Sequence, residues 1–514
     1  MTDAPKAAKP RRPKAAKTAV PAAGSVAPTP VREVEALIIG AGPSGLSACI
    51  KLKEQGVTDT VILDQANRIG GTWAVNDYPG LQCDVPSEMY SLGFAPNPEW
   101  TRTYAPQAEI QRYLERVAHD FGIVGQIRLN TRVEDARWDA AAARWRVTTA
   151  GGEVYSARFF IPAAGYIGEA KMPHFPGQDT FQGTVFHSGL WNHDYDLRGK
   201  RVAVIGCGAS AIQFLPAIQP KVGHLYSFQR TPTWVLPKPD FKVPEPVRKL
   251  YQRLPKLEQL VRESALLGFE PLLPLFMNEQ LVKRFGHALG ELNIRLGIKD
   301  PALRQALTPN HLFGCKRPLL SNDWYPALAQ PNVTVLFQGL HHITERGVVG
   351  DDGVEIPVDA IIFGTGYAVA EPAIYRIIKG ADGRSLSEHW QGCPRAYQGM
   401  AIHGFPNMFM MLGPNSHSLV GSVMWTSEHQ AIYIAQAVKA LQQGGHRVLE
   451  VRKPVQDNFN AGIEERLAKM PIRADVCESY YLDKGGRNQF VWPEYGVNIK
   501  KRLTRFEAAD YAWQ

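Results

Sequence analysis

The chain has 514 residues, 45% hydrophobic and 21% charged, an ordinary globular composition with length for two or three domains. Its formal charge of +8 is mostly local: residues 1–32 hold seven Lys/Arg against Asp3, a net +6, so the remaining body is near neutral and no nucleic-acid partner is expected. No run of about 18 apolar residues offers a transmembrane segment, and six cysteines with neither CxxC nor paired spacing read as reduced thiols of a cytoplasmic protein.

Residues 1–32 are rich in Ala, Pro and Lys without apolar periodicity and are expected to form a disordered basic tail. Pro21, Pro28 and Pro30 interrupt any apolar run there, so no secretory leader is expected. Residues 36–39 then form an apolar strand that enters the turn Gly40-Ala41-Gly42-Pro43-Ser44-Gly45, followed by a helix to Gln55 and a strand at 61–63 ending on Asp64. This is the GxGxxG dinucleotide fingerprint in its strand–turn–helix–strand setting. An aromatic, loop-like stretch at 69–90 follows. Asp84 within it reads by itself as a turn carboxylate, and Trp73 as a core aromatic. Alternating strands start near Asn130 and are expected to form a small sheet laid across the first domain. An apolar strand at 159–164 leads out through Gly165-Tyr166.

A second fingerprint occupies 200–231. Strand 201–205 meets Gly206-Cys207-Gly208-Ala209-Ser210-Ala211, with Ala in place of the last glycine, then a helix, then strand 224–228. Counting from first glycine to strand tip places Asp64 in one copy and Arg230 in the other at the same offset. A carboxylate suits a ribose diol, whereas Arg230 with Thr231 suits a 2′-phosphate. Two cradles in one frame with opposite tips point to FAD in the first and NADPH in the second. Residues 243–297 turn helical, with Pro255 separating two helices and 265–277 expected to be a buried corner. Lys316-Arg317 lies among Phe313, Pro318, Leu319, Leu320 and Trp324, so at least one cation is expected against apolar surroundings. A strand at 359–367 closes the second domain. Residues 404–422 read as a strand and a Gly/Pro/Ser loop, and a long helix begins at Glu428.

The fold class expected is α/β: two Rossmann-like dinucleotide-binding domains, the second inserted in the first, with a small helical insertion. The expected boundaries are 33–165 and 371–514 for the FAD domain, 166–240 and 311–370 for the NADPH domain, and 241–310 for the insertion. No GxSxG elbow, HExxH, metal-ligand spacing, Walker loop or redox-active cysteine pair is present, so the chemistry falls to flavin, nicotinamide and oxygen.

Gly70-Gly71-Thr72-Trp73, Tyr78-Pro79-Gly80 and Asp84 resemble the flavin-side signature of type I Baeyer–Villiger monooxygenases. Phe181, Gly183, His187 and Trp191 are similar to that family's F-x-G-x-x-x-H-x-x-x-W fingerprint, although Asn192 stands where Pro or Asp is usual. As residues alone, His187 and Trp191 read as linker packing. The resemblance implies an NADPH-dependent flavoprotein that inserts one atom of O2 beside a ketone carbonyl through a C4a-peroxyflavin. Flavin oxygenation of nitrogen or sulfur is the alternative, and a non-catalytic polyanion-binding protein a remote one. It further implies that Gly40, Gly42, Pro43, Ser44, Gly45, Asp64, Gly71, Thr72, Trp73, Asp84, Tyr90 and Val133 serve FAD. Gly206, Gly208, Ala209, Ser210, Arg230, Thr231 and Lys316 serve NADPH, and Arg317 with Asp84 is catalytic. Asn415, Ser416, Met424 and Trp425 are expected in a substrate wall. Residues 481–498 are expected to be a lid or a static C-terminal loop.

Overall fold

The computed structural model describes residues 30–419, 421–473, 475–477 and 479–514. The expected tail lies outside the described residues up to 29, but its last two positions, Val31 and Arg32, already belong to the first strand and pair with Val154 and Tyr155.

The first unit runs β1 (Val31–Ile39), α1 (Pro43–Glu54), β2 (Thr60–Leu63), the single turn α2 (Thr72–Val75), α3 (Gln107–Asp120), β3 (Ile127–Arg128), β4 (Val133–Asp139), β5 (Arg144–Thr149) and β6 (Val154–Pro162). β1 is apolar on both faces at its C-terminal end because it is central: β2 and β6 flank it in parallel, with Ile38 opposite Ile62 and Ile161. The alternating strands β4 and β5 do not make a separate small sheet. β6 is nine residues long, pairs antiparallel with β5 and parallel with β1, and so carries them into one seven-stranded sheet.

The second unit begins with β7 (Thr184–His187), β8 (Arg201–Ile205), α4 (Ala211–Ile218), β9 (His224–Phe228) and β10 (Val235–Leu236). A helical insertion follows: α5 (Glu245–Arg253), α6 (Pro255–Phe269), α7 (Leu273–Met277), α8 (Glu279–Leu281), a π turn at Val282–Gly286, α9 (His287–Gly297) and α10 (Pro301–Leu307). Pro255 does separate α5 from α6. The 265–277 stretch is not a buried corner, since Leu267, Phe269 and Leu272 face solvent. The unit resumes with β11 (Leu319–Leu320), α11 (Trp324–Leu328), β12 (Val333–Leu336), the antiparallel β13 (Leu340–Ile343), β14 (Gly347–Gly350) and β15 (Glu355–Pro357), and β16 (Ala360–Phe363). Five parallel strands form its sheet, in the order β12, β9, β8, β16, β7.

The chain then returns to the first unit. After α12 (Ile374–Ile377), β17 (Ile378–Lys379) pairs with β4. α13 (Leu386–Trp390), opened by the Ser385/Glu388 capping box, precedes β18 (His417–Ser418). Residues 404–416 are not a strand: they fold as turns that meet β6 through a Phe160–Met408 bridge and backbone hydrogen bonds to Phe160 and Pro162. α14 (Val423–Gln443) starts five residues before Glu428, where Ser422 Oγ accepts the Met424 N–H as an N-cap. It packs on α1, and Ser44 Oγ meets Ser427 Oγ at 2.7 Å, so two helix N-termini converge beside the first glycine turn. β19 (Leu449–Val451), α15 (Lys453–Leu467), β20 (Val491–Trp492), α16 (Gly496–Leu503) and β21 (Tyr511–Trp513) complete the chain.

The reading of six reduced thiols is overturned at one pair. Cys315 and Cys477 form a disulfide across a separation of 162 residues, and such a long-range pair leaves no mark in local spacing. Cys49, Cys83, Cys207 and Cys393 are free. Among the described residues, no helix is long and apolar enough to cross a membrane, and no His, Cys, Asp and Glu cluster could hold a metal ion.

Candidate active site

Gly40 turns at φ +106°, and a Cβ there would stand 2.4 Å from the Ala163 carbonyl oxygen. The next close approach is between turns: a Cβ on Gly71 would lie 2.8 Å from Gly42 Cα. The 69–73 loop is therefore laid against the glycine turn, where Pro43 opens α1 and its free N–H groups face outward. Asp64, 9% exposed at the tip of β2, accepts the Ala41 N–H at 2.6 Å and the Ala66 N–H at 2.8 Å. Burial pushes its pKa up against those two bonds. Thr131 N–H returns to the Asp64 carbonyl at 2.8 Å, which places Val133, the first residue of β4, just beyond the same tip. Thr72 opens α2. Buried Trp73 donates its indole N–H to Tyr90 Oη at 3.0 Å, edge to face at 5.6 Å.

The second turn repeats the logic. Gly206 has φ +110°, and a Cβ there would meet the Gly364 carbonyl oxygen at 2.6 Å. Gly208, Ala209 and Ser210 lead into α4. Arg230 is exposed at the tip of β9 and has no carboxylate partner among the described residues, and neither has Lys316. Lys316 faces Cys207, whose thiol burial pushes up to about 11 against the pull of that cation, and Cys207 Sγ donates to the Thr231 carbonyl at 3.2 Å. Lys316, Thr231 and Arg230 thus collect around one unneutralised corner.

Between the two turns the units are stitched together. Tyr78 Oη donates to Gln213 Oε1 on α4 at 3.1 Å, and Gln213 Nε2 donates to the Gln82 carbonyl at 2.8 Å. Tyr367, just after β16, bonds Asn76 through its hydroxyl. The next residue to cross the gap is Arg317: its Nη2 lies 2.7 Å from Asp84 Oδ2, with the two side chains 45% and 33% exposed. Asp84 first, then Tyr481, Tyr480 and Tyr166, raise the arginine's pKa further above its ordinary range, against burial. Arg317 is therefore a permanent cation. His417 stands in the same group. Its Nε2 bonds the Tyr166 hydroxyl, the rings are 4.9 Å apart, and burial with the nearby Arg317 lowers its pKa to about 4.

The fingerprint residues hold the linker. His187 ends β7 fully buried, its Nδ1 accepting the Gly189 N–H at 3.0 Å, and burial keeps its pKa below the ordinary value. Trp191 wedges between Phe186 and Phe214, with ring centroids at 5.1 and 5.4 Å. Phe181 packs over Gly183 beside the Asp359 carbonyl. These positions fix the joint between the units.

The expected substrate wall is divided. Asn415 and Ser416 are both 1% exposed; Asn415 Nδ2 donates to the carbonyls of Asn488 and Val491, and Ser416 Oγ to Gly399. Asn415 thereby clamps the 488–492 segment, in which β20 pairs with β18 and Trp492 is fully buried. Met424 is core, whereas Trp425 lines a cavity of about 70 Å³ with Leu266, Gly421 and Val497. Tyr166, His417, Tyr480 and Gln213 were absent from the sequence-level candidates, and only the tyrosine and histidine types themselves hinted at them.

Comparison with known proteins agrees with this geometry. The flavin-binding monooxygenase-like family matches residues 34–459. A Baeyer–Villiger monooxygenase of Streptomyces coelicolor is 42% identical over 480 residues, 93% of this chain and 92% of that protein. One from Pseudomonas aeruginosa is 41% identical, over 95% and 93%. A closed crystal structure of cyclohexanone monooxygenase superposes with a TM-score of 0.84 at 26% identity, covering 94% of this chain and 100% of that one. Oxidised steroid monooxygenase bound to NADP gives 0.82 at 29% identity, over 94% and 99%. With both glycine turns, their differing tips and the joint between them accounted for, the chain belongs to the flavin-binding monooxygenase-like family.

Proposed function

We propose that the first turn holds FAD, the second holds NADP(H), and the enzyme inserts one oxygen atom of O2 next to the carbonyl of a small ketone, giving an ester or lactone. The residues fit both groups. At Gly40, Gly45 and Gly71 a Cβ would stand 2.4, 1.9 and 2.8 Å from neighbouring backbone, so only glycine keeps this turn tight at the N-terminus of α1, the geometry a pyrophosphate requires. Asn415 Oδ1, His417 Nδ1, Asn488 Nδ2 and Trp492 Nε1 are buried around β18 and β20 with no hydrogen-bond partner among the described residues. Orphaned polar atoms of this kind call for a polar occupant. Arg230, Thr231 and Lys316 offer the unneutralised corner that a 2′-phosphate requires.

Reduced by NADPH, the flavin supplies the oxygen-activating chemistry when bound. The chain supplies position and charge. Arg317 Nη2 holds a positive charge where negative charge develops on the reacting oxygens, and Asp84 fixes its direction. His417, neutral throughout the physiological range, adds no competing cation and keeps the Tyr166 ring in place. Tyr166 and Tyr480 both pack edge-on against Phe490, giving this corner an aromatic flank.

The observation that carries this reading is the Asp84–Arg317 pair formed across the two nucleotide-binding units. The test is aerobic turnover with NADPH and a cyclic ketone, with a thioether run alongside and products identified by mass spectrometry. A lactone with NADPH consumed in proportion supports the reading. Sulfoxide alone would move the assignment to heteroatom oxygenation, and a colourless protein indifferent to NADPH would end it.

A further inference from the structure

Among the described residues 22 large hydrophobic side chains are exposed, and twelve of them fall between Phe241 and Leu296, so exposed apolar side chains concentrate on the helical insertion. Its most regular part is on the continuous helix formed by α8, the π turn and α9. Leu281, Phe285, Leu289, Leu292 and Leu296 are 36–73% exposed and recur at intervals of four, four, three and four residues. The flanking face, about 100° round the helix, is locked inward. A Cβ on Gly286 would stand 2.4 Å from the Phe313 ring, and one on Gly290 2.3 Å from the Trp234 ring, while Val282 and Ile294 are each 2% exposed. The helix cannot rotate to bury its outer leucines without driving those glycines off the aromatic rings.

We propose that this outer stripe is the seam of a two-fold dimer, in which the helix packs antiparallel on the same helix of a second copy of this chain. The spacing is its own complement. About an axis between Ala288 and Leu289, Leu281 falls opposite Leu296 of the second copy and Phe285 opposite its Leu292, with Leu289 beside the axis. A narrow stripe at intervals of three and four is the geometry of a helix–helix seam, whereas a helix lying on lipid needs a broader apolar face. The rim also argues against an anionic bilayer, because it is mixed: Lys283 pairs with Glu279 at 2.8 Å and Arg295 with Glu291 at 3.3 Å. Taken from the side-chain exposures, the stripe covers about 500 Å² per copy, so pairing buries roughly 1,000 Å², the lower bound for a specific interface. The dimer is therefore reversible and concentration-dependent.

Sedimentation velocity on the full-length protein across two decades of concentration tests this. The parent chain is expected to pass from monomer to dimer, and Leu289→Glu/Leu292→Glu to stay monomeric at concentrations about 100-fold above the parent's midpoint. Because those positions are exposed, the thermal midpoint of the variant should match the parent's. Should the charged variant misfold, the register decides independently. Leu289→Cys is expected to cross-link to itself under mild oxidation, and Leu281→Cys to cross-link only when mixed with Leu296→Cys. A parent chain that is monomeric throughout, a dimer unaffected by both glutamates, or a monomer that co-sediments with phosphatidylserine vesicles would each overturn the proposal.

Discussion

Arg317 Nη2 reaches Asp84 Oδ2 at 2.7 Å, joining the loop that precedes β11 to the loop that follows α2. The pair spans the joint between the two nucleotide-binding units, so it acts on both the orientation of the cation and the seating of the loops. Side chains one-third to one-half exposed gain little stability from such a bond. The expected consequence of losing it is therefore kinetic. Arg317→Ala should keep flavin absorbance and thermal midpoint and lose about 100-fold or more in product formation. Asp84→Ala should lose less in rate, since the cation survives without its guide. Ester or lactone formation by Arg317→Ala near the parent rate would remove the arginine from the chemistry.

Among the described residues, Arg230, just past β9, and Lys316, in the loop before β11, have no carboxylate partner. A free cation pair there distinguishes a phosphorylated ribose from a plain one. Arg230→Ala is expected to lower the preference for NADPH over NADH by at least about tenfold, through a higher KM for NADPH with kcat nearly unchanged, because the contact is made equally before and during reaction. Steady-state kinetics with both nucleotides reads this directly.

How much of this was legible follows from the range over which each feature is encoded. The glycine turns with their tips Asp64 and Arg230 are local chemistry, in which a strand, a turn and a helix N-terminus lie within a few dozen residues, and composition alone exposes them. The Asp84–Arg317 pair is not local: Asp84 read by itself as a turn carboxylate and Arg317 as one of two cations set among apolar residues, and only the family resemblance put them together. His417 against Tyr166 had no sequence signal, because its partner is set by the pairing of β18 with β20. The helices of the insertion were legible from periodicity. Which face they expose was not, since Gly286 and Gly290 fix it by admitting Phe313 and Trp234. The strand expected near 404 failed for a related reason. Their backbone bonds β6 at Phe160 and Pro162, Met400 and Leu449 in turn, and positive φ at Asn407, Leu412 and Asn415 breaks any regular ladder.

The Cys315–Cys477 disulfide ties the residue before Lys316 to the segment that leads into Tyr480 and Tyr481. A cross-link closing so long a loop acts chiefly on the unfolded chain. Cys477→Ser is expected to cost about 2–4 kcal/mol in denaturant unfolding, and to raise the KM for NADPH by loosening the loop that carries Lys316. Treatment of the parent chain with a dithiol should reproduce both changes and leave the serine variant unaffected. A parent chain whose unfolding midpoint ignores the dithiol would show that the bond does not form in solution.

Glu258 on α6 is 2% exposed, accepts the Asn97 N–H through Oε1 at 2.9 Å, and has no partner for Oε2 among the described residues. Burial raises its pKa to about 7, against that hydrogen bond. A carboxyl group raised on folding binds more protons in the native state between its unfolded and folded pKa values, so stability falls as pH rises from about 4.5 to 7. Glu258→Gln keeps the acceptor for Asn97 and removes the buried charge. It is expected to stabilise the protein at pH 8 by about 1–2 kcal/mol and to be indistinguishable from the parent at pH 4.5. Thermal unfolding of both proteins at the two pH values checks the sign, because equal effects at both would mean the carboxyl is not neutralised by burial.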